Sequence, residues 1–205
     1  MKLSASLFFL TAALCSAGGK SPLAPLPASG GASGIDDPAD HWTVEVQTGV
    51  LWQAGGNTTI DYVILPQILS IRTPEHFRMT LGEGELTLRA GFNLLVEPIA
   101  RGPESAYLGF SFSPTLEYWL PSKKAAFFIS SGGGMGWVDS QDVPGAQGQD
   151  RTLNWFAQAG LRWYIRPNLA VMGSCFFQHM SNGGATDPNP GIDAVGPMMG
   201  LTWHF

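Results

Sequence analysis

From His41 to Phe205 the chain alternates apolar and polar residues with a period of two, the mark of strands that have one oily and one polar face. The clearest run is Thr152 to Ile165. Leu153, Trp155, Ala157, Ala159, Leu161, Trp163 and Ile165 fall on one side, and Thr152, Asn154, Gln158, Gly160 and Arg162 on the other, with Phe156 and Tyr164 as exceptions. Ala106 to Leu120 repeats the split, with Leu108, Phe110, Phe112 and Leu116 set against Tyr107, Ser111, Ser113, Thr115 and Glu117. Glu85 to Glu97 does so again. Runs at 43–54, 59–71, 125–138, 168–181 and 193–205 bring the series to about eight strands. The run at 59–71 is apolar on both faces and contains Pro66, which removes a ladder donor, so it is the weakest strand of the set.

Such strands have two architectural solutions. In a soluble secreted sandwich the oily faces form the core; in a membrane barrel they turn outward to lipid. Three features favour the second. The oily faces carry Trp, Tyr and Phe near strand ends, as aromatic girdles do. The polar faces carry Glu45, Arg89, Glu97, Glu117 and Arg162 amid Gly and Ser, which suits a narrow, side-chain-filled interior. The strands also exceed the roughly 5 to 6 residues usual in soluble proteins. The expected fold class is all-β, an eight-stranded antiparallel transmembrane β-barrel in a bacterial outer membrane. Short turns at 120–124 and 166–168 then belong to the periplasmic side, and the longer connections at 97–105, 139–150 and 182–192 to the exterior. The connection at 72–84 departs from this rule, being long on the periplasmic side.

Composition agrees with β-structure rich in turns: 26 glycines, 7 Trp, 4 Tyr and 12 Phe accompany only 13% charged residues in 205. The formal charge of -5, with 11 Lys and Arg in no block, argues against a nucleic-acid partner. Residues 1–17 read as a secretory signal, with Lys2 in the n-region, Leu7 to Leu14 as the apolar segment and Cys15-Ser16-Ala17 at the cleavage site. Leu14 is bulky where a lipoprotein signal needs a small residue, which disfavours lipidation at Cys15. Residues 18–40, rich in Gly, Ser, Pro and Ala, read as a disordered leader, and 41–205 as the barrel. Cys175 is left without a disulfide partner, and no metal-ligand spacing or phosphate-cradling loop stands out. No cofactor is expected.

The last hairpin concentrates chemistry. His179 and Ser181, two apart on a strand, point the same way with about 7 Å between them at the backbone. Asp193, on the strand beyond the loop, can approach the imidazole and fix its tautomer, as in a hydrolase triad. Asn182, the amides of Gly183 and Gly184, and Asn189 are candidate oxyanion donors. All three triad candidates lie on the lipid-facing series. The bland reading is an interfacial histidine beside ordinary Ser-Asn-Gly-Gly turn chemistry, with the aspartates in solvated turns.

The same residues resemble the signature of the PagL-like lipid A 3-O-deacylases, roughly His-x-Ser-Asn-x-Gly, a short spacer, then Pro-Asn-x-Gly-Ile-Glu. His179, Ser181, Asn182, Gly184, Pro188, Asn189, Gly191 and Ile192 match it without a gap, and Asp193, one methylene shorter, stands at the Glu. The resemblance implies an outer-membrane barrel with its active site on the outside of the wall. By resemblance Ser181 is the nucleophile and His179 the base, while Asn182, Gly184 and Asn189 shape the oxyanion site. Asp193 would be the orienting acid. The implied substrate is lipid A of lipopolysaccharide, among outer-membrane lipids, and a homodimer is left open. The rivals are a structural or adhesin-like barrel without activity and a barrel phospholipase or acyltransferase acting on another lipid.

Overall fold

A computed structural model describes residues 37–55 and 58–205; the expected signal at 1–17 and most of the expected leader at 18–40 lie outside the described residues. The described residues form eleven strands: β1 Thr43–Gly49, β2 Leu51–Gly55, β3 Val63–Ile64, β4 Gln67–Arg72, β5 Phe77–Leu81, β6 Gly84–Arg101, β7 Ala106–Trp119, β8 Ala125–Val138, β9 Arg151–Arg166, β10 Leu169–Ser181 and β11 Ile192–His204. They make eight barrel staves. β1 and β2 are one stave broken at Val50, both pairing with β11. β3, β4 and β5 lie end to end along one edge of β6 as the second stave. Each remaining strand pairs antiparallel with the next, and β1 against β11 closes the ring. The strands from β6 to β11 run 13 to 18 residues. That exceeds the roughly 9 to 11 needed to cross a bilayer, so their ends stand clear of it.

Two departures from the sequence reading sit in the second stave. Pro66 does interrupt the run at 59–71, splitting it into β3 and β4, and Leu65 N–H spans the gap by donating to Pro98 O at 2.8 Å. The supposed long connection at 72–84 is not a loop. Thr73 and His76 N–H groups donate to Ala90 and Leu88 carbonyls at 2.9 and 2.8 Å, and β5 continues the ladder to a tight turn at Gly82-Glu83. The periplasmic turns are therefore all short.

The oily series faces outward, with Leu69, Phe92, Leu94, Phe112, Ile129, Trp163, Leu201 and Trp203 all exposed. Inside, the half of the lumen toward the short turns holds buried charge. Glu45 accepts from Arg72 Nη2 at 2.9 Å, Gln47 Nε2 at 2.7 Å, Arg162 Nε at 2.7 Å and Thr202 Oγ1 at 2.8 Å. Arg162 also bonds Glu117 at 2.9 Å, and Arg72 bonds Thr115 at 2.6 Å. The other half carries an apolar cluster in which Leu51, Ile64, Phe156, Phe176, Met180 and Ile192 pack together, with Glu97, Asn154 and Gln178 buried at the same end. A lumen sealed to water is filled equally well by hydrocarbon.

Residues 37–40, placed in the leader by composition, pack on the barrel. Asp37 caps a 3₁₀ turn at Pro38–Asp40, and Ala39 is buried against Trp119, Ala126, Tyr164 and Ala170, plugging the periplasmic mouth. Arg78 Nη1 and Lys123 Nζ hold Asp37 Oδ2 at 2.7 and 2.8 Å. Burial pushes the Asp37 carboxyl up, but Lys123, the Ala39 N–H and Arg78 outweigh it and hold it below the ordinary aspartate range. A carboxylate depressed on folding stabilises above that range and stops doing so as pH falls through the lowered value. The protection of the Ala39 amide from exchange, relative to its intrinsic rate at the same pH, should therefore fall in acid, and Asp37→Asn should lower it in the same way at neutral pH.

Removing one partner of the ionic cluster leaves buried guanidinium groups uncompensated, so Glu45→Ala should cost about 3–5 kcal/mol. Phe112→Arg, on the lipid face at the middle of β7, should cost about 2–4 kcal/mol at mid-membrane. Urea unfolding from lipid vesicles, followed by tryptophan emission, measures both.

Candidate functional site

The β10–β11 ladder places His179 directly opposite Asp193 and Met180 directly opposite Ile192. Because strand side chains alternate, the two pairs point to opposite faces. Met180 and Ile192 turn inward, 1% and 0% exposed, and anchor the hairpin end in the apolar cluster of the lumen. His179 and Asp193 turn outward, and His179 Nδ1 lies 2.5 Å from Asp193 Oδ1. Their side chains are 29% and 24% exposed, so the pair is partly desolvated yet open to a ligand. The carboxylate only accepts, which fixes the proton on Nδ1 and leaves the Nε2 lone pair free. The shorter aspartate reaches because the two residues are exact ladder neighbours.

Ser181 lies on the same outer face, two residues beyond His179 and opposite Leu153 of β9. No hydrogen bond joins Ser181 to His179 among the described residues; such contacts often close only when substrate is bound. Trp155 pairs with His179 across the β9–β10 ladder, with ring centroids 6.1 Å apart, and its ring also packs on Phe177 at 5.1 Å. Leu153, Trp155 and Phe177 thus form an apolar floor beside the polar pair.

The loop between the strands is held by Asn182, which is 4% exposed. Its Nδ2 donates to Gln147 O at 2.5 Å, Thr186 O at 2.8 Å and Pro188 O at 3.2 Å, while its Oδ1 accepts from Gly184 N–H at 2.8 Å. Asn189 Oδ1 accepts from Asn182 N–H at 2.9 Å, and Asn189 Nδ2 has no partner among the described residues. Of the three residues expected to shape an oxyanion site, Asn182 and Gly184 are engaged within the loop and Asn189 keeps a free donor. The 139–150 connection braces this loop: a Cβ on Gly148 would come within 2.9 Å of the Asp187 and Pro188 carbonyl oxygens.

Gly191, Gln147, Leu153 and Trp155 join the site unannounced by the sequence reading. Gly191 belongs to the matched signature but had no role. The structure seats it at φ +69°, where a Cβ would lie 3.2 Å from His179 Cε1. Leu153 and Trp155 were legible only as lipid-facing residues, since their pairing with Ser181 and His179 depends on register.

Comparison with known proteins adds a family and a fold. The family model described as lipid A 3-O-deacylase (PagL) matches residues 35–202. The crystal structure of the outer membrane enzyme PagL is similar to the chain with TM-score 0.54 and 19% identity, over 80% of this chain and 99% of that one. A de novo designed transmembrane β-barrel gives TM-score 0.38 and 12% identity, over 81% of this chain and 96% of that one. No curated protein matches the chain. At 19% identity the structural likeness bears on the fold.

Gly191→Ala should cost about 1–2 kcal/mol through its left-handed backbone and displace the His179 ring. Ring nitrogen chemical shifts should report the displacement. Gly173→Ala, with no atom within 4 Å of the added methyl, should leave those shifts in place.

Proposed function

The chain belongs to the lipid A 3-O-deacylase (PagL) family, enzymes of the bacterial outer membrane, and we propose that it removes the 3-O-linked acyl chain of lipid A through Ser181, His179 and Asp193. The observation that carries this reading is the His179–Asp193 contact of 2.5 Å on the outer face of the wall, with Ser181 on the same strand face. It is a base with its tautomer fixed, on the strand face that carries the hydroxyl, on the wall that faces lipid.

In the first step His179 Nε2 takes the Ser181 Oγ proton as Oγ attacks the ester carbonyl carbon, and Asp193 stabilises the imidazolium that forms. The oxyanion falls to Asn189 Nδ2, the free donor of the loop. Collapse breaks the bond to the sugar 3-oxygen, which leaves as the alcohol with the proton from His179. Water, deprotonated by the same nitrogen, then attacks the acyl-serine; the fatty acid departs and Ser181 recovers its proton. The acyl chain runs over Leu153, Trp155 and Phe177, which offer continuous hydrocarbon beside the reacting carbonyl. The substrate thus reaches the site sideways from the membrane, its sugar at the loops and its chain along the wall.

Mass spectrometry of lipid A from cells expressing the chain tests this. Wild type should remove one 3-hydroxyacyl group, and Ser181→Ala and His179→Ala should each abolish removal with the barrel still folded. The double change should add little, since such residues act as a unit. Asp193→Asn should lower turnover by roughly 10³ to 10⁴ through the wrong tautomer, whereas Asp193→Glu, which keeps the charge, should retain most of it. Unmodified lipid A alongside hydrolysed glycerophospholipid would replace this reading with that of a phospholipase.

A further inference from the structure

Near Ser181 the outer rim carries an open groove of about 620 Å³, bordered by Trp137, Asp150, Arg151, Leu153, Asn182 and Ala185 among others. Its volume falls within the roughly 300 to 1,000 Å³ of small-molecule sites. The ladder sets its direction. Leu153 stands opposite Ser181, and Arg151, two residues further along β9 on the same outer face, lies about 7 Å nearer the loops. Trp137 of β8 is the cross-strand partner of Arg151. The groove therefore begins at the serine's neighbour and ends at a guanidinium, where the wall leaves the membrane.

Lys124 and Arg166, at the periplasmic end, make no ion pair among the described residues, and at the loop end that guanidinium stands in the same state. Among the described residues, Arg72 and Arg162 are paired to Glu45, with Arg89 beside Glu117, inside the lumen. Arg78 and Lys123 are tied into the cluster at the periplasmic end. At the loop end there are two cations: Arg101, which pairs with Asp61 at 2.5 Å, and Arg151, which makes no ion pair. The adjoining Asp150 does not neutralise it. Its Oδ1 accepts from the Ser140 and Gln141 N–H groups at 3.0 and 2.7 Å, so that charge is fixed to the loop backbone. Gln149 Nε2 donates to the Arg151 carbonyl at 2.8 Å and holds the main chain there. An unpaired arginine at the loop end of the wall, about 7 Å along β9 from the residue opposite Ser181, is complementary to an anion carried by the substrate. Guanidinium groups bind phosphate oxygens in bidentate fashion.

We propose that Arg151 binds a phosphate monoester on the sugar headgroup of the lipid substrate and so sets which ester comes to rest over Ser181. The assignment rests on the esterase reading above, and Arg151 is in it a positioning residue that touches the headgroup and not the reacting carbonyl. With the phosphate at Arg151 and the acyl chain along Leu153 and Trp155, the sugar bridges the groove and its ester faces Ser181.

Purified protein in detergent can be tested with two substrates, an acylated, phosphorylated glucosamine disaccharide and the same compound with its phosphates removed. A neutral aryl ester of a fatty acid serves as a third, reporting esterase competence alone. For wild type, kcat/KM should favour the phosphorylated compound over its dephosphorylated form. Arg151→Gln should reduce that preference by about tenfold or more, mainly through KM, as expected for loss of a charge-assisted hydrogen bond, and Arg151→Lys should restore part of it. Binding to the Ser181→Ala protein, which cannot turn over, should show the same phosphate preference and the same dependence on Arg151. An equal effect of Arg151→Gln on both disaccharides, or none on either, overturns the phosphate assignment. If wild type cleaves none of the three compounds the esterase reading fails, and the binding measurement on Ser181→Ala still decides whether Arg151 recognises phosphate.

Discussion

Closure of the sheet by β1 against β11 is the constraint from which the rest of the molecule follows. In hydrocarbon no water is present to satisfy a free N–H or C=O, so a sheet that crosses a membrane must have no open edge. Once the ring is closed, each strand has one face to lipid and one to a narrow interior, and the period-two alternation becomes obligatory. The interior must then be filled. One half is filled by the Glu45, Arg72, Arg162 and Glu117 cluster, in which each charge is offset by neighbours, and the other by side chains such as Phe156 and Phe176, whose rings stack at 5.1 Å. The plug at Ala39 completes the seal below.

Closure also explains how chemistry can reside on the outside of a wall. A lumen packed with side chains has no room for a lipid, whereas the outer surface is already bathed in one. The last hairpin offers both faces at once: Met180 and Ile192 lock it inward while His179 and Asp193 meet outward. The backbone ladder does the positioning, so the polar pair needs no cavity. The loop above it is braced by Asn182 reaching the Gln147 carbonyl. Strand ends held in this way keep the proposed catalytic groups in place.

Much of this was legible in the sequence because period-two patterning is local. Which residues face lipid, where the short turns lie, and that His179, Ser181 and Asp193 share one face all follow from counting along a strand. What depended on non-local register was not. Counting back from the short turn at 166–168 would set His179 opposite Phe156, a lumen residue. An irregularity between Leu169 and Ala170 shifts the ladder by one and brings Trp155 there instead. The strand β5 was hidden because 73–76 interrupts the alternation, although its backbone still bonds to β6. The plug was missed because composition marks 18–40 as unable to fold alone, and Ala39 packs only on surfaces contributed by distant strands. The engagement of Asn182 and Gly184 within the loop is likewise a contact between two loops that no spacing encodes.

Covalent labelling tests the central claim, a serine activated on the lipid-facing wall, most directly. Detergent-folded protein would be treated with a long-chain fluorophosphonate and the adduct located by peptide mass spectrometry. A single adduct on Ser181, absent from His179→Ala, is the expected result. Labelling of a different serine, or undiminished labelling of Ser181 in His179→Ala, would contradict it.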